Sequence, residues 1–133
     1  MLEPLFEAEL DYQPGMAPLA SEGDGALIGS GDGTVRGPKL DGKLEWTLFE
    51  RPGSTVCSMA PVATITTADG ARIRFEGRGY GSRPSQDDPA WRVAATLHFT
   101  TDDSRYSWLD GALALWEGEF SEVTGHARYT AFM

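Results

Sequence analysis

The chain is poor in the residues from which disulfides, metal sites and nucleic-acid interfaces are built. Among 133 residues there are one cysteine, two histidines and 11 lysines and arginines, against 20 aspartates and glutamates. A single cysteine excludes an intrachain disulfide and a thiolate metal cage. The formal net charge of -9 repels phosphate backbones and anionic lipid, so we expect neither nucleic acid nor a membrane as a partner.

Long apolar runs are also lacking. No segment approaches the roughly 20 apolar residues that would span a bilayer. The N-terminal segment 1–15 carries acidic residues where a secretory signal needs an apolar run after basic residues. We therefore expect a cytoplasmic protein. The length falls within the usual size of one domain, and residues 1–133 are assigned to a single domain.

Alternation of apolar and polar residues is the strongest structural signal in the chain. In Phe6–Tyr12 the even positions are apolar or aromatic and the odd positions are acidic, as expected for a strand with one buried face. The same period of two predicts strands in five further segments: 43–49, 71–81, 91–99, 111–120 and 125–133. Clusters rich in glycine, proline and aspartate separate these segments and predict turns, among them GSGDG at 29–33.

Closely spaced strands without a helical run of three turns predict an all-β fold, either a sandwich or a barrel. We favour a single antiparallel β-barrel of about eight strands, because closure leaves no edge strands. An interior of that size is filled by side chains or holds one small ligand in a central cavity. The pair Asp110-Gly111 argues against a helix in 102–116. Residues 13–25, the longest stretch without pattern, are a candidate lid over one barrel mouth.

Familiar cofactor and metal motifs find no support. The glycine-rich segment Gly29–Pro38 leads into the strand-like run Thr34–Arg36 instead of a helix, so a bulged hairpin is a better interpretation than a phosphate loop. His98 and His126 lie on the polar faces of their strands, where a solvated histidine is commoner than a metal ligand. We expect neither a metal nor a cofactor.

Aromatic residues supply the best candidates for a ligand site. Plain core packing is the favoured interpretation of Phe75, Trp91 and Phe99. Tyr106 and Trp108 stand beside a turn, where barrels place their mouths, and are predicted to line a pocket. The full predicted ligand-binding set is Tyr106, Trp108, Trp46, Trp116 and Arg36.

Two carboxylates are candidate acids or bases. A carboxyl group pressed against tryptophan is suited to proton transfer, which makes Asp110 the first candidate. Glu45 is the second candidate. Strict alternation places it on the face opposite Trp46, so both can reach one cavity only if the strand is bulged or frayed at its end.

Three sequence islands resemble a known family. GTVRGPKLDG (Gly33–Gly42), TADGARI (Thr67–Ile73) and YSWLD (Tyr106–Asp110) are similar, in this order, to elements of the family catalogued as domain of unknown function 3237. The resemblance implies a small antiparallel β-barrel and implies no reaction. Two departures stand out: Glu45-Trp46 takes the place of the family's Asp-Trp, without its preceding glycines, and Asp110 replaces an asparagine, which exchanges two hydrogen-bond donors for acceptors.

Two functions of different class remain open at this point. The first is a barrel that binds a small, partly apolar, aromatic or carbonyl-bearing metabolite and acts as a cofactor-free isomerase, lyase or cyclase. The second is a non-catalytic binding or assembly module with a fully packed barrel. A homodimer or higher homo-oligomer is expected, since symmetric dimers are the commonest closed assembly. A polar-mouthed cavity of about 300 Å³ or more would favour the first.

Overall fold

The computed structural model describes residues 2–12, 19–20, 27–51 and 53–133. Nine strands and one short 3₁₀ helix occupy these ranges: β1 (Pro4–Tyr12), β2 (Leu19–Ala20), β3 (Leu27–Arg36), β4 (Gly42–Arg51), β5 (Val56–Thr67), β6 (Arg72–Ser82), β7 (Ala90–Thr100), the helix (Ser104–Tyr106), β8 (Leu113–Ser121) and β9 (His126–Phe132). The lid predicted for residues 13–25 lies outside the described residues, apart from the two residues of β2.

The long strands form a closed ring. Strands β3 to β8 each pair antiparallel with the next strand in the chain. Strand β1 completes the ring because residues 7–12 pair with 31–36 of β3, while residues 4–11 pair with 126–132 of β9. Strand β2 pairs with the start of β3. The prediction of an antiparallel β-barrel of about eight strands is confirmed.

Six strands lie where alternation predicts them, within two residues at each end, whereas β3 and β5 do not follow the pattern. The interpretation of GSGDG as a turn is wrong, because residues 29–33 are the middle of the ten-residue strand β3. Its inward positions 29, 31 and 33 are glycines, so this part of the strand shows no apolar alternation. In β5 the apolar residues Val56, Ala60 and Val62 lie on the outer face, and with apolar residues on both faces the period is faint.

The connection between β7 and β8 contains the 3₁₀ helix that the Asp110-Gly111 pair argued against. The Asp103 carboxylate caps this helix by accepting a hydrogen bond of 2.9 Å from the backbone N–H of Arg105. The Asp110-Gly111 pair forms a turn after the helix, where Gly111, five residues past Tyr106, adopts a φ of 77°. No helix in the described ranges is long and apolar enough to cross a membrane. The cytoplasmic location stays a prediction.

The two ends of the barrel differ in content. Connections 37–41, 68–71 and 101–112 lie at one end, here called the floor, and connections 53–55, 83–89 and 122–125 lie at the other, called the mouth. The floor half holds large side chains that are almost fully buried: Val35, Leu40, Leu44, Ile65, Ile73, Phe75, Leu97, Phe99 and Leu109. Phe99 contacts Phe6 and Phe75 in edge-to-face geometry, with ring centres 6.3 and 5.6 Å away. The floor is therefore a close-packed core.

Glycines take inward positions towards the mouth. They are Gly77, Gly79 and Gly81 in β6 and Gly118 in β8. At Gly79 and Gly118 a Cβ atom would lie only 2.0 and 1.8 Å from a carbonyl oxygen of the neighbouring strand. Glycine thus permits these strands to approach closely as the sheet coils. It also leaves this part of the interior without bulky side chains.

Candidate functional site

The mouth half of the barrel contains a cavity of about 490 Å³. Its walls are mainly apolar and aromatic: Trp46, Leu48, Met59, Val93, Trp116 and Phe120 are among the lining residues. The volume falls within the range of about 300–1,000 Å³ typical of small-molecule sites. A fully packed barrel, the premise of the assembly hypothesis, is not what the structure contains.

Three titratable side chains from different strands converge in this cavity. Glu50 of β4, Cys57 of β5 and Tyr129 of β9 all line it. Burial first, and then the negative charge of Glu50, raise the pKa of the Cys57 thiol. Burial, followed by the charges of Glu50 and Cys57, raises the pKa of the Tyr129 hydroxyl well above its usual range. At neutral pH the thiol and the phenol are therefore protonated donors beside one carboxyl group.

Trp116 forms the boundary between the cavity and the floor. Its ring stacks on Tyr129, with ring centres 4.4 Å apart and planes inclined by 20°. On another side it meets Phe75 of the floor edge-to-face at 5.4 Å. The indole Nε1 is buried and has no hydrogen-bond partner in the described part of the chain. Packing on several sides therefore fixes the Tyr129 ring against a rigid neighbour.

Arg83 organises the mouth. Its guanidinium lies 4.3 Å from the ring centre of Trp91. It donates to the carbonyl oxygens of Ser54 and Asp88 at 2.8 and 2.9 Å. It also pairs with Glu122 at 3.3 Å, and Glu122 in turn accepts 2.8 Å from the indole N–H of Trp91. The half-buried Arg83 side chain thus joins the three described connections at the mouth. Trp91, interpreted from the sequence as plain core packing, belongs to this rim and lines the cavity.

The connection 101–112, which contains the predicted site residues Tyr106, Trp108 and Asp110, lies at the floor end of the barrel. Tyr106 donates from its hydroxyl to both carboxylate oxygens of Asp69 at 3.2 Å. Trp108 is 40% exposed, with the ammonium of Lys39 5.8 Å from its ring centre. Asp110 is exposed and accepts 3.0 Å from the backbone N–H of Thr101. These three predicted residues are on the floor side and do not reach the 490 Å³ cavity.

The other predicted residues divide between cavity and surface. Trp46 and Trp116 line the cavity, and the indole N–H of Trp46 donates to the Asp32 carbonyl oxygen at 3.3 Å. Glu45 and Arg36 are exposed on the outer face of the barrel. The ladder between β3 and β4 runs without a bulge through Glu45 and Trp46, so strict alternation holds and keeps Glu45 outside. The structure therefore places two of the seven predicted residues in this cavity, while Tyr106 and Trp108 contact each other at the floor with ring centres 6.4 Å apart.

The sequence islands that carry the family resemblance meet at the floor. Arg105, just before YSWLD, donates to the Asp69 carbonyl oxygen at 2.9 Å and pairs with the Asp69 carboxylate at 3.5 Å. Thr67 also hydrogen-bonds to Asp69 through its hydroxyl, and this bond is the first cause of the lowered pKa of Asp69. Together with the contact of Lys39 and Trp108, these bonds tie the three islands into a cap over the core.

Sequence reasoning missed Glu50, Cys57, Tyr129, Arg83 and Glu122 as site residues. A signal existed for Glu50, since positions 44, 46, 48 and 50 of β4 alternate inward and the last is acidic. Arg83 gave no signal, because it stands in an irregular stretch of turn residues.

Solved structures share this fold at low sequence identity. A β-barrel-like protein from Acinetobacter baumannii AYE has a TM-score of 0.77 and 21% identity, covering 99% of this chain and 94% of its own. A protein of unknown function from Clostridium acetobutylicum ATCC 824 has a TM-score of 0.81 and 16% identity, with 99% and 97% covered. A structure described as an enzyme from Penicillium herquei has a TM-score of 0.66 and 22% identity, with 100% and 94% covered.

No curated protein matches the chain. The family model described as protein of unknown function, DUF3237, matches residues 1–133. The chain therefore belongs to the DUF3237 family.

Proposed function

We propose that the protein binds a small, flat, largely apolar molecule in the mouth-side cavity and acts on it by cofactor-free proton transfer. The observation that carries the proposal is a cavity of about 490 Å³ whose apolar walls contain Glu50 next to two protonated donors. Such a combination of apolar walls with a few convergent polar groups is typical of ligand sites. The fungal structure described as an enzyme supports the proposal at the level of the fold, which can carry catalysis.

Glu50 is the acid/base of this proposal. It lines the same cavity as Cys57 and Tyr129, and its charge raises the pKa of both groups. Apolar and aromatic walls lower the polarity around a ligand, which strengthens the interaction of a carboxylate with a ligand proton. Proton removal and return at another atom is the elementary step of isomerases, lyases and cyclases. Asp110 could serve only a ligand bound at the floor side.

Native mass spectrometry of the freshly purified protein tests the binding. Ala127 lines the cavity, so Ala127→Leu places three additional carbons in it, whereas Ala94→Leu makes the same change on the exposed outer face. We expect a bound small molecule in the wild type and in Ala94→Leu and its loss in Ala127→Leu. An adduct retained equally in all three proteins would contradict a ligand in the cavity.

An assembly function is a second candidate, favoured by an exposed apolar pair on β8. Leu113 and Leu115 are 69% and 45% exposed on the outer face of the barrel. Apolar side chains in this position are typical of a sheet face that pairs with a second copy. Leu115→Lys should convert a dimer into a monomer in light scattering, while Val123→Lys, an exposed position at the mouth, should not. A wild-type monomer would contradict this candidate.

A further inference from the structure

The guanidinium of Arg83 is an incompletely paired cation at the mouth. The side chain is 11% exposed and lines the cavity. Its Nε donates to the carbonyl oxygen of Ser54, and its Nη1 donates to the carbonyl oxygen of Asp88 and to Oε1 of Glu122. None of the hydrogen bonds that this guanidinium makes to the described residues uses Nη2. One nitrogen of the cation, with its two N–H groups, is therefore available to a ligand.

This nitrogen is also within reach of a ligand. Among the described residues, Trp116 Nε1 is the one fully buried side-chain nitrogen or oxygen without a partner. Arg83 Nη2 has no partner either and is not fully buried, so another molecule can contact it. The guanidinium is held in place, because it packs 4.3 Å from the ring centre of Trp91 and donates three hydrogen bonds. A donor that is ordered before binding loses little entropy when a ligand arrives.

Glu122 neutralises this cation only in part. Its Oε1 lies 3.3 Å from Nη1 of Arg83, beyond the about 2.7–2.9 Å typical of a charge-assisted hydrogen bond. The same oxygen accepts the indole N–H of Trp91 at 2.8 Å. The Glu122 side chain is 49% exposed, so water screens the carboxylate more strongly than it screens the guanidinium. The two backbone carbonyl groups bring no net charge, and a second negative partner is therefore accommodated at Nη2.

We propose that the ligand carries a carboxylate group, which binds to Arg83 at the mouth while its flat apolar body lies in the cavity. This inference rests on the proposed function and names its substrate class. The carboxylate accepts charge-assisted hydrogen bonds from Nη2, a kind of pairing to which the planar guanidinium is well suited. The apolar body contacts the apolar walls, which include Trp46 and Trp116. Arg83 thus determines which end of the ligand faces the mouth.

The carboxylate subsite and the proposed acid/base act on a common neighbour. The charge of Glu50 raises the pKa of the Cys57 thiol, and the charge of Arg83 lowers it. Cys57 therefore lies within the electrostatic reach of both groups, and all three residues line the cavity. A ligand held at Arg83 by its carboxylate occupies the chamber that Glu50 also lines. The carboxylate orients the ligand and takes no part in the proton transfer.

The binding test uses three probes that share a naphthalene ring and differ in charge: 2-naphthoate, 2-naphthamide and 2-naphthylmethylammonium. Calorimetric titrations at pH 7 are made on the wild type, on Arg83→Gln and on Arg92→Gln. Arg92 is exposed on the outer face of β7 and serves as the matched control. We expect the wild type and Arg92→Gln to bind 2-naphthoate about 10-fold more tightly than 2-naphthamide, as for one charge-assisted bond in place of a neutral one. Arg83→Gln should lose this preference.

A second variant tests the inference while the bonds of Arg83 to the backbone are kept. Glu122→Gln removes the competing charge, and the glutamine retains an oxygen that can accept from Trp91 and Arg83. We expect this variant to bind 2-naphthoate about 2- to 5-fold more tightly than the wild type does, and 2-naphthamide equally well. Glu119→Gln, a change on the exposed face of β8, should bind both probes as the wild type does.

The outcomes separate this inference from the function on which it rests. Equal binding of 2-naphthoate and 2-naphthamide, with both lost in Ala127→Leu, would leave the cavity as a binding site and overturn the carboxylate assignment. A preference for 2-naphthylmethylammonium would overturn it in favour of a cationic ligand. A preference for 2-naphthoate that persists in Arg83→Gln, or that Glu122→Gln leaves unchanged, would remove Arg83 from the subsite. Binding of none of the three probes would overturn the inference, while the native mass spectrum of the purified protein decides the proposed function separately.

Discussion

The division of the barrel into a packed floor and an open mouth half can be tested by making one substitution twice on one strand. Ala127 and Ala131 both face inward on β9, four residues apart. Ala127 lines the cavity, whereas Ala131 is fully buried and pairs with Phe6 of β1. Leucine adds three carbons at either position, so the two variants differ only in the space that receives them.

The expected magnitudes follow from that space. Burial of three carbons in the cavity gains at most about 2.4 kcal/mol at 0.8 kcal/mol each, less about 0.5–1 kcal/mol for the ordered leucine side chain. The free energy of unfolding of Ala127→Leu should therefore match or exceed that of the wild type. Ala131→Leu enters a close-packed floor and should lower the free energy of unfolding by about 1–3 kcal/mol.

Urea denaturation followed by tryptophan fluorescence measures both variants against the wild type. A difference of 1 kcal/mol should also appear as roughly 3–5 °C in the thermal midpoint for a chain of this size. Equal destabilisation by the two leucines would refute the reasoning, because it would mean that the interior at the level of Ala127 is as closely packed as the floor.

Three further predictions concern other parts of the barrel. Phe99→Ala should lower the free energy of unfolding by about 3–5 kcal/mol in urea; a loss below about 1 kcal/mol would contradict a close-packed floor. Hydrogen bonds from the side chain and the backbone N–H of Arg105 lower the pKa of Asp103. The ionised Asp103 therefore stabilises the folded state fully above the pKa of an unfolded aspartate, about 3.9. This stabilisation is lost as the pH falls through the lower pKa of the folded state. The difference in unfolding midpoint between the wild type and Asp103→Asn should thus be largest near pH 7 and shrink towards pH 2, and a constant difference would contradict this assignment. Glu50→Gln removes a charge that raises the pKa of Cys57, so iodoacetamide should alkylate the thiol faster at pH 8 than in the wild type or in Glu119→Gln; an unchanged rate would place Glu50 too far from the thiol.

The fold was predictable because one strand face is consistently apolar. Trp91, Val93, Ala95, Leu97 and Phe99 of β7 alternate with polar residues, and all five are buried. Period-two patterning of this kind specifies both the strand and the face that turns inward. Strand β3 was not predictable in the same way, because its inward glycines contribute close backbone approach in place of apolar side chains.

The candidate site was predictable only in part, because sequence does not tell which end of a barrel is open. Tyr106 and Trp108 follow a strand and precede a turn, as mouth residues do, but their partners Asp69 and Lys39 belong to loops that close the floor. Trp46 and Trp116 were correctly predicted to line a cavity, because large aromatic side chains on the inward face of a strand border any cavity inside the barrel. Glu50 lies one position beyond the segment 43–49 whose alternation predicted the strand, directly before the sequence RPGST at 51–55, which is typical of a turn.

The tight floor and the open mouth half are built from the same strands, and this has a consequence for how such a barrel can change. Most of the large side chains that are almost fully buried lie in one half of the barrel. Inward residues of the other half, such as Leu48, Met59 and Ala127, contact mainly the cavity. Substitutions there alter the shape of the chamber with little effect on folding, so the barrel is a scaffold in which ligand preference can diverge, in nature or by engineering, while the architecture stays the same.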